Sequence, residues 1–149
     1  MKRLLVTTDF SELGDSAIPP AAELAAKLGA ELTICHVLGG ERPPKPDEDA
    51  PYYTVAQRLF EADEEMEKQA LASIEERASD LKDITWVAKL ARGVAIEGIK
   101  AIANETGADL IVISSQGRTG LTRMLLGSVA EELARESPVP VLIWKQKPE

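Results

Sequence analysis

Cysteine and histidine are almost missing from this chain of 149 residues, which holds one of each. Cys35 has no second thiol for an internal disulfide and no companions for a cysteine-based zinc site. His36 stands alone, which excludes two-histidine metal motifs; no metal site is expected. Basic charge is also in deficit. Seventeen Lys and Arg against 25 Asp and Glu leave a net charge of −8, which argues against a nucleic-acid or anionic-membrane surface. No apolar run approaches the ~20 residues of a membrane span. The start, Met1-Lys2-Arg3 followed by four apolar or small residues before Thr8-Asp9, is too short for a signal peptide, so a cytoplasmic, reduced protein is expected. No Gly-Lys pair and no Gly-x-Gly occurs, so neither a P-loop nor a dinucleotide fingerprint is present. Ser115 and Gly117 form half of a nucleophile elbow, but Ile113 stands at its first position and His36 lies upstream. That order and that residue do not support a serine hydrolase.

What is present is a globular composition, 44% hydrophobic, on a length suited to one domain with a core of its own. Short apolar runs alternate with helical patterns. Leu4–Thr8, Glu31–Val37, Ile84–Ala91, Leu110–Ile113 and Val139–Trp144 read as strands. Helices are expected from Asp15 to Leu28, through Val55–Leu81, from Arg92-Gly93 to Thr106, and over Ser128–Glu136. Pro19-Pro20 mark where the first of these starts or bends, and Gly29 and Gly107 are natural stops. Residues 39–51, with four prolines in the surrounding stretch 38–51, form a loop. In the long helix Val55, Leu59, Ala62, Met66, Ala70, Ile74, Ala78 and Leu81 recur at spacings of three and four and are read as one inward stripe. The glutamates at 61, 64, 65, 75 and 76 form its solvated face. Cys35 and His36 alternate on strand 2 and are read as packing residues, as are Trp86 and Trp144, the latter with a subunit contact as the alternative.

The β-α alternation predicts a parallel sheet with helices on both faces. Leu110–Ile113 has no polar alternation, which suits a strand buried on both sides. In such sheets ligands bind beyond the carboxyl ends of the strands, where strand order reverses. The turn after strand 4 is distinctive. Residues 113–128 hold three glycines and five hydroxyl side chains, and residues 110–130 hold Arg118 and Arg123 with no acid. A cationic stretch on an acidic chain fits a small anion. Gly127-Ser128 opens a helix whose free N–H groups suit phosphate, with Ser128 expected as N-cap.

These residues resemble the universal stress protein family (UspA-like). The resemblance runs from Thr8-Asp9-Phe10-Ser11-Glu12 through Leu28-Gly29-Ala30-Glu31-Leu32 and Gly107-Ala108-Asp109-Leu110, and is densest from Gly117-Arg-Thr-Gly120 through Leu125-Leu-Gly-Ser-Val-Ala130 to Ser137-Pro-Val-Pro-Val141. It implies a single domain over 1–149, a five-stranded parallel sheet in order 3-2-1-4-5, Rossmann-like and adenine-nucleotide-alpha-hydrolase-like. It also implies a stress-associated regulatory protein. ATP-binding members carry G-x2-G-x9-G-[S/T]; here the frame reads Ser114-x2-Gly117-x9-Gly127-Ser128. Ser114 replaces the first glycine, Thr7 stands where such members often have proline, and Gln116 where they often have histidine.

By resemblance, Thr7, Asp9 and Val37 lie at the adenine and ribose end, and Ile113 and Ser114 flank the ribose. Gly117, Gly127, Ser128 and Val129 cradle the phosphates, with Arg118 reaching a phosphate oxygen. The ligand is then ATP or another adenine nucleotide, with Mg²⁺ bridging phosphates. The bland reading of Asp9 is an Asx-turn for the next helix. The Val139–Trp144 strand forms an edge, through which the resemblance implies a homodimer. No general base stands beside the phosphates, so at most slow ATP hydrolysis is expected. Two rival readings remain: a dimeric stress or interaction module that binds no nucleotide, and an adenylating enzyme, for which 149 residues leave little room.

Overall fold

The computed structural model describes residues 1–117 and 126–146. Ten elements follow in chain order: β1 Arg3–Thr7, α1 Glu12–Asp15, α2 Ile18–Leu28, β2 Glu31–Leu38, α3 Tyr53–Ala78, β3 Trp86–Arg92, α4 Ala95–Thr106, β4 Leu110–Ser114, α5 Ser128–Glu136 and β5 Val141–Trp144. All strands are parallel and ordered β3-β2-β1-β4-β5. β1 is central, with Val6 opposite Ile34 on one side and Val112 on the other.

The first long helix starts at Ile18, beside Pro19-Pro20 as expected, and a separate turn precedes it. α1 is a single turn, capped by the Ser11 side chain, which accepts from the Gly14 amide at 2.9 Å. α2 begins at Ile18 with proline in its first turn, where the missing N–H costs nothing. α2 and α4 stop at Gly29 and Gly107, both left-handed.

Each sheet face has its own core. On one, Leu4, Val6, Ile34 and Val112 pack with Ile18 and Ala21 of α2 and Ile74 of α3. On the other, Leu5, Cys35, Ile111 and Ile113 pack with Ile99 and Ile102 of α4 and Leu133 of α5. The alternation at positions 34 and 35 thus serves both layers, as the period of two requires. Gly98 lets α4 lie close on β2: a Cβ there would come within 2.8 Å of both Val37 methyls. Among the described residues no helix is long and apolar enough to cross a membrane.

The long helix corrects one expectation. Ala70, Ile74 and Ala78 are buried as read, but Val55, Leu59 and Met66 face outward, 61%, 61% and 45% exposed. In the amino-terminal half the inward face carries Asp63 and Glu67 instead. Arg92 at the end of β3 grips Asp63 with two bonds of 2.7 Å and Glu67 with one of 2.8 Å. Arg42, from the proline-rich loop, adds a 2.7 Å bond to Glu67. A buried carboxylate is tolerable only with such partners; Asp63 and Glu67 share the face of Ala70 and Ile74 at steps of four, three and four, so the apolar row of the amino-terminal half lies off that face.

Candidate functional site

The carboxyl ends of β1 and β4 part at the switch between the two halves of the sheet, and a cleft of about 230 Å³ opens there. Nine of the ten residues expected from the sequence line it: Thr7, Asp9, Val37, Ile113, Ser114, Gly117, Gly127, Ser128 and Val129. Arg118, the tenth, lies outside the described residues, as does Arg123. Thr8, Gly14, His36, Ala95, Ile99, Ser115, Gln116 and Ala130 are the other described residues that line it.

Asp9 stands at the centre. Its Oδ1 accepts from the Ser11 amide at 2.9 Å and from the Ser11 hydroxyl at 2.5 Å, so the Asx-turn is formed. The carboxylate is also wedged between two backbones. A Cβ on Gly14 would collide with Oδ1, and a Cβ on Gly117 with Oδ2. Two segments a hundred residues apart therefore meet on one carboxylate, and a side chain at either glycine would displace it. Gly117 was legible from its motif frame. Gly14 was not, because nothing local in Glu12–Asp15 shows what its α-carbon will face.

The far wall is the start of α5. Gly127, not Ser128, is the N-cap: its backbone is extended and its carbonyl accepts from the Glu131 amide at 3.0 Å. Among the described residues no side chain caps this helix, and Ser128, Val129 and Ala130 of its first turn, where amides lack intrahelical partners, line the cleft. The Gly127 amide donates to the Ser115 carbonyl at 2.6 Å, and a Cβ on Gly127 would stand 3.3 Å from that oxygen. Absence of a side chain here lets the loop after β4 close onto the helix end.

Ser114, the departure in the motif, is 7% exposed, and its hydroxyl donates to the Gln116 carbonyl at 2.6 Å. The extra side chain is spent on its own turn. Thr7 is buried beside Cys35, whose thiol burial pushes up to about 12, with the Thr7 hydroxyl pulling weakly the other way.

His36 is more than the packing residue expected. It lines the cleft, holds Nδ1 2.8 Å from the Thr8 carbonyl oxygen, and stacks on Phe10. A polar chain runs behind it. Thr8 Oγ1 donates to Asp15 at 2.5 Å, and Arg77 Nε contacts both Asp15 oxygens at 2.8 Å. Arg77 Nη2 donates to the Phe10 carbonyl at 3.0 Å, and its guanidinium covers the Phe10 ring. The floor of the cleft is thus tied to α1 and α3. Chemically the cleft offers apolar walls at Val37, Ile99 and Ile113, one carboxylate, several hydroxyls, and the first turn of α5 at one end.

Comparison with known proteins agrees with this geometry. The model of the universal stress protein family matches residues 1–145. The universal stress protein MJ0577 of Methanocaldococcus jannaschii is 31% identical, with 98% of this chain and 96% of that protein aligned. The universal stress protein YxiE of Bacillus subtilis is 32% identical, covering 95% and 97%. Among solved structures, that of MJ0577 superposes with a TM-score of 0.73 at 27% identity, over 99% and 98% of the two chains. A universal stress protein in complex with cAMP superposes at 0.63 and 24% identity, over 98% of each chain. One from Archaeoglobus fulgidus in complex with dAMP superposes at 0.57 and 24%, over 96% and 97%.

Proposed function

The chain belongs to the universal stress protein family, and from that premise we propose that it is a regulatory module that binds an adenine nucleotide in the cleft between β1 and β4. One observation carries the reading: the start of α5, Gly127-Ser128, which no side chain caps among the described residues, lines the same cleft as Asp9. A helix start with free amides suits phosphate, and a carboxylate at a strand end suits sugar or base N–H and O–H donors. The volume, about 230 Å³, falls just below the usual range of small-molecule clefts and suits base and sugar, with phosphates at the α5 end. Complexes of structural relatives with cAMP and dAMP support the class of ligand.

In this reading Val37 and Ile113 enclose the base, and Thr7, Asp9 and Ser114 edge the sugar. Gly117, Gly127, Ser128 and Val129 hold the phosphates, with Arg118 adding positive charge. ATP is the nucleotide we favour. Among the described residues no cluster of three His, Cys, Asp or Glu side chains could hold a metal ion, so Mg²⁺ would ride on the phosphates. The protein acts in the cytoplasm, as a homodimer joined along β5. That strand is at the sheet edge, with Leu142 and Trp144 half-exposed, and an edge of this kind invites pairing.

The test is calorimetric titration of the full chain with ATP, AMP and cAMP, with and without Mg²⁺, beside Gly127→Val. Micromolar binding by the parent that is lost in the variant is the expected result. No heat up to millimolar concentrations of any of the three would overturn the reading and leave a dimeric interaction module without nucleotide.

A further inference from the structure

The amino-terminal half of α3 carries a second apolar face that nothing among the described residues covers. Tyr52, Val55, Leu59, Ala62 and Met66 follow at steps of three, four, three and four, and all are exposed. Tyr52 is the most open at 71%. Isolated exposed apolar side chains are ordinary, but a row of five in heptad spacing along ~21 Å of helix is a seam for another helix. The inward face of the same helix is separately occupied by Asp63, Glu67, Ala70 and Ile74.

We propose that this seam pairs with the same seam of a second copy, helix against helix and antiparallel. Two features select that occupant and that direction. The first is size. Antiparallel pairing sets Leu59 against Ala62 of the partner subunit and Val55 against Met66 of the partner subunit, large against small. Parallel pairing would set alanine on alanine and leave a gap. The second is charge. Arg58 and Glu65 flank the seam on one side, both exposed. Antiparallel pairing brings Arg58 opposite Glu65 of the partner subunit, and the twofold repeats the pair. A parallel pair gives Glu65 only Ala70 of the partner subunit. The remaining acids of this stretch, Glu61 and Glu64, project away from the seam, and Asp63 is neutralised within its own subunit by Arg92. An anionic membrane is disfavoured by the same acids.

The interface is independent of the β5 edge and of the nucleotide cleft. It is tested by sedimentation equilibrium on the full chain, in the parent and in a Leu142→Asp background that blocks the β5 edge. Leu59→Glu, Arg58→Glu and Glu65→Arg are each expected to weaken one association step at least about tenfold. The Arg58→Glu/Glu65→Arg double variant restores it, and so does an equimolar mixture of the two single reversals, because their opposed charges then match. All three positions are exposed, and circular dichroism checks that each variant is folded. Association indifferent to Leu59→Glu, or single reversals that neither the double variant nor the mixture rescues, would overturn the proposal.

Discussion

The Phe10 ring lies stacked on His36, centroids 4.0 Å apart and 21° from parallel, although Phe10 must hold a left-handed φ of 67° to reach it. That backbone costs about 1–2 kcal/mol for a residue with a Cβ. Stacking returns ~0.5–1.5 kcal/mol, and Arg77, 4.6 Å above the ring, adds about 0.5–1 kcal/mol. The turn after β1 is therefore held by its side chain against its backbone. With the ring removed, only the backbone cost remains. Phe10→Gly is expected to be about 1 kcal/mol more stable than Phe10→Ala, both below the parent, in urea unfolding. Equal stability of the two variants would show that the left-handed backbone imposes no cost.

Asp63 makes acid stability predictable. The two Arg92 hydrogen bonds, helped by the charges of Arg92 and Arg42 and opposed by desolvation, hold its carboxyl below the usual carboxylate range. A depressed folded value gives stability that is complete above the unfolded value of about 3.9 and is lost as pH falls through the folded one. Asp63→Asn is expected to lower Tm by several degrees at neutral pH and to flatten the fall in Tm below about pH 4. Parallel acid limbs in the two proteins would contradict this.

Cys35 is fully buried and its thiol is pushed up to about 12 from 9.0. Thiolate is the reactive form, so alkylation by iodoacetamide at pH 8 is expected to run at least about a thousandfold slower in the native chain than in urea. Labelling at the unfolded rate would mean that β2 opens readily.

α3 offers a contrast within one helix. Ile74 is wholly buried and Leu59 is 61% exposed. Ile74→Ala is expected to cost about 2–5 kcal/mol and Leu59→Ala under about 0.5 kcal/mol at concentrations where the chain is monomeric. Similar costs at both positions would contradict the assignment of faces.

These pairs also show what was readable beforehand. The strand at Leu110–Ile113 and the helix stops at Gly29 and Gly107 were legible because each depends on its own side chains or its own φ. The glycines at 117 and 127 were legible through their frame and their chemistry. Three things were not. The inward face of α3 carries Asp63 and Glu67, whose burial rests on Arg92 of another strand, and the apolar row at 55–66 lies to one side of it. Gly14 matters for an oxygen of Asp9, which sequence spacing does not place. The Ser128 hydroxyl is a good cap by type, yet the first helical carbonyl bond falls on Gly127.

The central place of β1 has a consequence for synthesis. During synthesis β1 gains β2 as a neighbour early, but its other edge stays open until Leu110–Val112 emerge. At ~5–20 residues per second this wait lasts roughly 5–20 s. For that interval Leu4, Leu5 and Val6 offer an unpaired ladder to any other nascent strand. The Asp109 carboxylate, which accepts from the Lys2 and Arg3 amides at 2.8 and 3.0 Å, arrives one residue ahead of β4. It can seize the waiting end and fix the register before a competitor does.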